Sequence, residues 1–273
     1  MELERFTRRQ LLGVIGFGTG ASLVSGCGGP LHGSESKVAN EWKYVRLDTA
    51  AVAAEAYRYF ADGGCMYGLF AGFMASMAAQ QEGPYRSFPL HMMKYGGGGV
   101  GDWGSICGTL NGGAAIIGLF EQDKQRRNDL ISQLFSWYEA TELPTYLPKA
   151  GMDSSAFPKN AAGSILCHAS VSNWCKKSGN EVGSQDMKER CRRLTADVAA
   201  KTAELLNANL HEPCKFAGLK PETKSCLTCH NEELHDTLGK MQCASCHQQL
   251  STNHPTVPLT PTKTIGGSRT SQP

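Results

Sequence analysis

The sequence predicts an all-α fold, a helical domain followed by a short loop-rich segment. Three observations carry this. Between residues 45 and 210, apolar residues recur at helical spacing in several long stretches. The period-two alternation of a half-buried strand is almost absent. From about residue 211 to 254 the periodicity gives way to closely spaced cysteines and histidines.

Residues 48–60 form the first helix, with Asp48 as cap ahead of an alanine-rich run and then Tyr57, Tyr59 and Phe60. Residues 64–81 form a second, broadly apolar helix with small residues at many positions, which permits close packing or a nearby cofactor. Residues 95–104 are a glycine-dense loop. No Gly-Lys-Ser/Thr follows it, which argues against a phosphate cradle. A tight backbone passage beside a buried group explains it better. Residues 105–120 form a small-residue helix. Residues 123–140 form an amphipathic one, with Leu130, Leu134, Trp137 and Tyr138 at helical spacing. Residues 141–159 hold three prolines and read as loop. Residues 161–177 and 185–210 are the last long helices, the second placing Leu194, Val198, Leu205 and Leu206 on one side.

The ends read differently. Thr7-Arg8-Arg9-Gln10-Leu11-Leu12 resembles a twin-arginine export signal, and the 16 residues 11–26 are short for a spanning helix but suit a signal's apolar region. Val24-Ser25-Gly26-Cys27 looks like a lipobox, with Cys27 as candidate lipid anchor; plain cleavage near this point is the alternative. The organisation expected is an export signal over 1–27, a linker over 28–44, a helical domain over 45–210, a cysteine- and histidine-bearing segment over 211–254, and an irregular tail over 255–273. Export places the mature chain in the periplasm. Removing the three Arg and two Glu of residues 1–27 from 27 basic and 25 acidic residues leaves 24 against 23. That balance argues against nucleic acid as a partner.

Two copies of one pattern carry the chemistry, Cys226-Leu227-Thr228-Cys229-His230 and Cys243-Ala244-Ser245-Cys246-His247. C-x-x-C-H is the attachment signature of c-type haem. Two thiols at that spacing add to the two vinyl groups of one porphyrin, and the following imidazole binds the iron as proximal ligand. Zinc is the rival, since C-x2-C, thirteen residues and C-x2-C approach a four-cysteine site. Zinc has no use for a histidine after each second cysteine. Two c-type haems are therefore expected.

Six further cysteines lie between the signal and these motifs: Cys65, Cys107, Cys167, Cys175, Cys191 and Cys214. In an exported chain they could pair as disulfides, or four thiolates could converge as an iron–sulfur site. Spacing alone does not choose. The segment Gly64-Cys65-Met66-Tyr67-Gly68, the stretch Tyr95-Gly-Gly-Gly-Gly-Val-Gly-Asp-Trp-Gly-Ser-Ile-Cys107-Gly-Thr-Leu-Asn-Gly-Gly-Ala and the later cysteines resemble the C-GCAxxG-C-C family of redox proteins. Met66 departs from the alanine of the family pattern. Joined to two C-x-x-C-H motifs, the pattern is similar to the split-Soret cytochromes c, over roughly residues 45 to 250.

The resemblance implies a mainly helical homodimer with two close-packed c-type haems per subunit, two histidines on each iron, and a ligand that can cross the dimer. It also implies an iron–sulfur cluster, taken here as 2Fe–2S. Carried onto this chain, Cys226, Cys229 and His230 serve one haem, and Cys243, Cys246 and His247 the other. Cys65 and Cys107 lead the cluster candidates; Cys167, Cys175 and Cys191 compete for the remaining places, and Cys214 ranks last. For the sixth haem ligands His168 ranks first, then His235 and His91. If both irons are six-coordinate, the protein passes electrons to and from redox partner proteins and is not an enzyme. A reductase with one open iron is the second reading, and a zinc- and disulfide-stabilised binding protein the third.

Overall fold

The structure, a computed structural model, describes residues 42–148, 157–230, 239–243 and 247. The export signal, Cys27, the linker up to residue 41, His235, Cys246 and the tail lie outside the described residues. The fold is all-α apart from one pair of two-residue strands. In chain order come α1 (Thr49–Gln80), 3-10 turns at Pro84–Arg86 and Leu90–Gly96, α2 (Gly108–Phe120), α3 (Lys124–Ala140), β1 (Glu142–Leu143), β2 (Asn160–Ala161), α4 (Cys167–Ser178), α5 (Gln185–Asn209) and α6 (Pro221–Leu227).

α1 is two helical arms rather than one rod. The backbone leaves the helix at Gly63 and Gly64, and Gly64 has φ +80°, where a side chain would be strained. The arms then fold back on each other. A Cβ on Gly72 would lie 2.5 Å from the Ala56 nitrogen, and one on Gly68 2.8 Å from the Phe60 backbone. The two helices expected over 48–60 and 64–81 are these arms. Asp48 caps the first, its Oδ1 accepting from the Ala50 amide at 2.8 Å. Side chains also cap α3 and α5, through Asp123 to the Arg126 amide and Ser184 to the Met187 amide.

The core lies where α1, α2, α3 and α5 meet. Leu69, Phe73, Met77, Leu110, Ile116, Leu130, Leu134, Val198 and Leu206 are all buried. At about 1.5–3 kcal/mol for each large apolar side chain removed from water, this packing offsets the entropy of ordering the chain. The apolar spacing in the sequence marks these same faces.

Two helices start later than expected, α2 at residue 108 rather than 105 and α4 at 167 rather than 161. The cause is pairing between the two approaches. Ile106 and Leu166 form an antiparallel bridge, the Cys107 amide donates to Ile165 O at 2.9 Å and the Cys167 amide to Ser105 O at 2.6 Å. Residues 160–161 pair with 142–143. These crossing bonds satisfy backbone groups that a longer helix would have taken. Among the described residues no helix is long and apolar enough to cross a membrane.

Candidate metal centre

Four elements deliver one cysteine each to a common region. Cys65 opens the second arm of α1, just past the reversal. Cys107 is the N-cap of α2, Cys167 the first residue of α4, and Cys191 lies in the second turn of α5. Glycines clear the space around them. A Cβ on Gly108 would sit 2.8 Å from Cys65 Sγ, and one on Gly99 2.7 Å from Cys167 Cβ. Gly99 belongs to a left-handed stretch in which Gly98, Gly99, Val100, Gly101 and Asp102 all have φ between 57° and 72°. A β-branched residue such as Val100 pays about 1–2 kcal/mol for that conformation. The glycine-dense loop is thus wrapped tightly against the residues that open α4.

None of the nine described cysteines is joined to another as a disulfide. The disulfide alternative finds no bridge among them. Cys65, Cys107, Cys167 and Cys191 act on one another electrostatically. A hydrogen bond with Cys167 is the main force holding Cys107 low, at about 5, against the opposing effect of burial; Thr109, Tyr138 and Arg190 help. The same bond, then burial and the other thiols, pushes Cys167 far up. Burial pushes Cys65 up to about 12, with Cys107 and Cys191 adding. Burial also raises Cys191, which Arg190 counters. Within the set Cys107 is the thiol held low and Cys167 the one held high. Cys175 stands apart: burial raises it and Arg190 opposes that, and its thiol link is to Cys191 alone. Cys214, half-buried, lies against Leu205 O at 3.9 Å.

Behind the thiols is a buried polar network absent from the sequence reading. Arg190 is 1% exposed. Its Nη2 donates to Ser170 Oγ at 2.7 Å and its Nη1 approaches Cys191 Sγ at 3.9 Å. Ser170 Oγ also bonds the Tyr138 hydroxyl at 2.7 Å, and Tyr138 reaches Cys107. In sequence Arg190 sits in the charge-dense run Lys188-Glu189-Arg190-Cys191-Arg192-Arg193, which reads as a solvated face. Its position directly before Cys191 was the available signal.

Among the described residues no three His, Cys, Asp or Glu side chains are grouped so that they could hold a metal ion. The donor chemistry nonetheless suits a thiolate-held centre: four thiols from four elements, glycine-cleared space and a buried cation.

His168 follows Cys167 and is exposed. Its Nδ1 lies 3.2 Å from Gly104 O. A carbonyl only accepts, so Nδ1 carries the proton and Nε2 holds the lone pair. That is the tautomer in which histidine ligates iron. His91 is exposed on the Leu90–Gly96 turn. In the C-terminal segment the first C-x-x-C-H motif starts in the last turn of α6; the His230 amide donates to Cys226 O and the His247 amide to Cys243 O, both at 2.9 Å. The motifs adjoin, since the Cys226 and Cys243 thiols are within hydrogen-bonding reach and Thr223 Oγ1 bonds Gln242 Oε1. A cleft of about 330 Å³ lies between α3 and this segment, lined by Phe135, Ile165, Phe216, Leu219 and Met241 among others.

Comparison with known proteins bears on this site. The family described as "Putative redox-active protein (C_GCAxxG_C_C)" matches residues 70–205, which include Cys107, Cys167, Cys175 and Cys191; Cys65 precedes the match. Split-Soret cytochrome c of Desulfovibrio desulfuricans (strain ATCC 27774) is 35% identical over 260 residues, 89% of this chain and 93% of the relative. A solved structure of split-Soret cytochrome c from Desulfovibrio desulfuricans ATCC 27774, described as having a novel iron centre, superposes with a TM-score of 0.70 at 35% identity, covering 78% of this chain and 95% of the other. With nearly the whole relative matched and the redox domain present, this chain belongs to the split-Soret cytochrome c family.

Proposed function

We propose that the chain is an exported electron-transfer protein with two c-type haems and an iron–sulfur centre. Cys226, Cys229 and His230 hold one haem; Cys243, Cys246 and His247 hold the other. The observation that carries this reading is the pair of C-x-x-C-H motifs, in each of which the histidine amide donates to the carbonyl of the first cysteine. A turn brings the imidazole back over its first cysteine, as covalent attachment plus axial ligation requires. The adjoining apolar cleft against α3 can take part of a porphyrin face.

Cys65, Cys107, Cys167 and Cys191 are the ligands assigned to the iron–sulfur centre, with Cys175 left over. When bound, that centre supplies one-electron chemistry near the potentials usual for thiolate-held clusters. His168 is the first candidate for a sixth haem ligand because its tautomer is already fixed and Nε2 is available. It could serve a haem of a second subunit. Homodimer formation draws support from Met92, Tyr95 and Trp103, exposed by 49, 50 and 88% on one stretch of chain beside His168. Histidines on both sides of each iron would leave no position for a substrate, which favours an electron carrier over a reductase. The leader motifs favour a periplasmic location, with Cys27 as candidate lipid anchor.

The test is spectroscopic. The protein is produced anaerobically in a host with haem-attachment machinery and assayed for pyridine haemochrome, non-haem iron and sulfide. Two haems per chain, iron with matching sulfide, and a reduced spectrum indifferent to CO are expected. A CO-shifted spectrum would turn the reading to a reductase, and absence of covalent haem would sink it.

A further inference from the structure

We propose that Arg190 is the fixed counter-charge of the cysteine centre, a positioning residue that lies buried against Cys191 and raises the reduction potential of the centre the thiols hold. The inference rests on the iron–sulfur reading above and deepens it.

A guanidinium stays charged throughout the accessible pH range. Arg190 is 1% exposed, yet no carboxylate pairs with it among the described residues. The acids of its own helix are committed elsewhere. Glu189 bonds Arg193 at 2.8 Å and Tyr57 at 3.0 Å, and Asp197 takes the Thr145 amide and hydroxyl at 2.7 Å each. Arg190 donates to neutral Ser170 and approaches Cys191 Sγ, while its Nε is buried without a partner. A buried cation with so little compensation is costly.

The groups that can supply the missing negative charge are Cys107, Cys191 and Tyr138. Tyr138 is itself fully buried and shares its hydroxyl with Ser170, so it stays a neutral phenol. The thiolates remain. A centre held by four thiolates is anionic and becomes more so on accepting an electron. A fixed cation and an N–H···S contact stabilise the reduced form more than the oxidised one, and so raise the potential. Arg190 is thus placed to do two things: it makes the site select an anionic occupant, and it tunes the occupant's redox equilibrium. Lysine would keep the charge but lose the fork shared between Ser170 and Cys191.

The experiment uses the full, haem-loaded chain as wild type, Arg190→Lys and Arg190→Met. EPR-monitored redox titration reads the midpoint of the iron–sulfur centre. Thermal melts are run with the centre intact and after its removal with a chelator. The expected result is a more negative midpoint in Arg190→Met that Arg190→Lys largely restores. Arg190→Met loses more melting temperature relative to wild type with the centre present than with it removed, because the centre adds negative charge beside the guanidinium. An unmoved midpoint in Arg190→Met, an equal shift in Arg190→Lys, or a melting-point loss in Arg190→Met that is as large without the centre as with it overturns the inference while leaving the iron–sulfur reading intact. Wild-type protein with haem but neither non-haem iron nor sulfide overturns the iron–sulfur reading, and this inference with it.

Discussion

At the residue scale the four thiols are unequal, and the inequality is testable. Cys65, Cys107, Cys167 and Cys191 act on one another, whereas Cys175 reaches the set only through Cys191 and Arg190. Cys107→Ser is expected to abolish non-haem iron and sulfide while leaving haem content unchanged. Cys175→Ser should retain all three, measured by metal and sulfide analysis of anaerobically purified protein. The Cys107–Cys167 pair also sets a pH dependence in metal-stripped protein. Unfolded, both thiols keep their protons below their ordinary value of 9.0; folded, the pair holds only one from about pH 5 upward. Between about 5 and 9 the unfolded chain binds more protons, so the pair's contribution to stability rises with pH. Above 9 the unfolded chain releases both while Cys167, and Cys65 at about 12, keep theirs, so the contribution falls. Urea midpoints from pH 5 to 9 should climb in wild type and climb less in Cys107→Ser.

At the element scale the reversal in α1 is decisive. It turns one helical stretch into a hairpin and puts Cys65 at the start of the returning arm. The arms meet through glycine rather than through interdigitated side chains, with Gly72 against the Ala56 backbone. Gly72→Ala introduces a methyl 2.5 Å from that nitrogen, where backbone must move. Overpacking of this kind costs about 1–3 kcal/mol, more than the helix propensity alanine returns. The expectation is a lower urea midpoint with unchanged slope and reduced iron content. An equal or higher midpoint would show that the arms are not packed this closely. The bridge between Ile106 and Leu166 joins the approaches to α2 and α4 and so brings Cys107 beside Cys167.

At the scale of the whole molecule, the glycine-dense stretch serves two surfaces. Its inner side abuts Cys167 and His168, and Met92, Tyr95 and Trp103 face solvent. Trp103 at 88% exposure is an unusual use of a large aromatic side chain, of the kind found at association surfaces. If a second copy covers it, Trp103→Ser should shift the protein from dimer to monomer in sedimentation velocity at micromolar concentration, with haem content unaffected. A dimer of undiminished strength would move the contact elsewhere.

Sequence alone determined the helical class, because the apolar period survives without knowledge of neighbours: Leu130, Leu134, Leu194 and Val198 all point into the core that their spacing marks. It also singled out the candidate haem-attachment residues, since Cys226, Cys229 and His230 interact within one turn and need no tertiary partner to be recognised. The iron–sulfur candidates were legible only as a pool of cysteines. Which of them meet depends on the α1 reversal and on the bridge between residues 106 and 166, contacts that join positions far apart in the chain. Helix starts at residues 105 and 161 were misread for the same reason, because local propensity cannot see a backbone partner sixty residues away. Arg190 was invisible for a further reason: a charged residue in a charged run reads as solvated, and only packing of α5 against α4 and α3, through Ser170 and Tyr138, removes it from water. Composition decides which groups a chain carries, and tertiary structure decides which of them must compensate one another's charge.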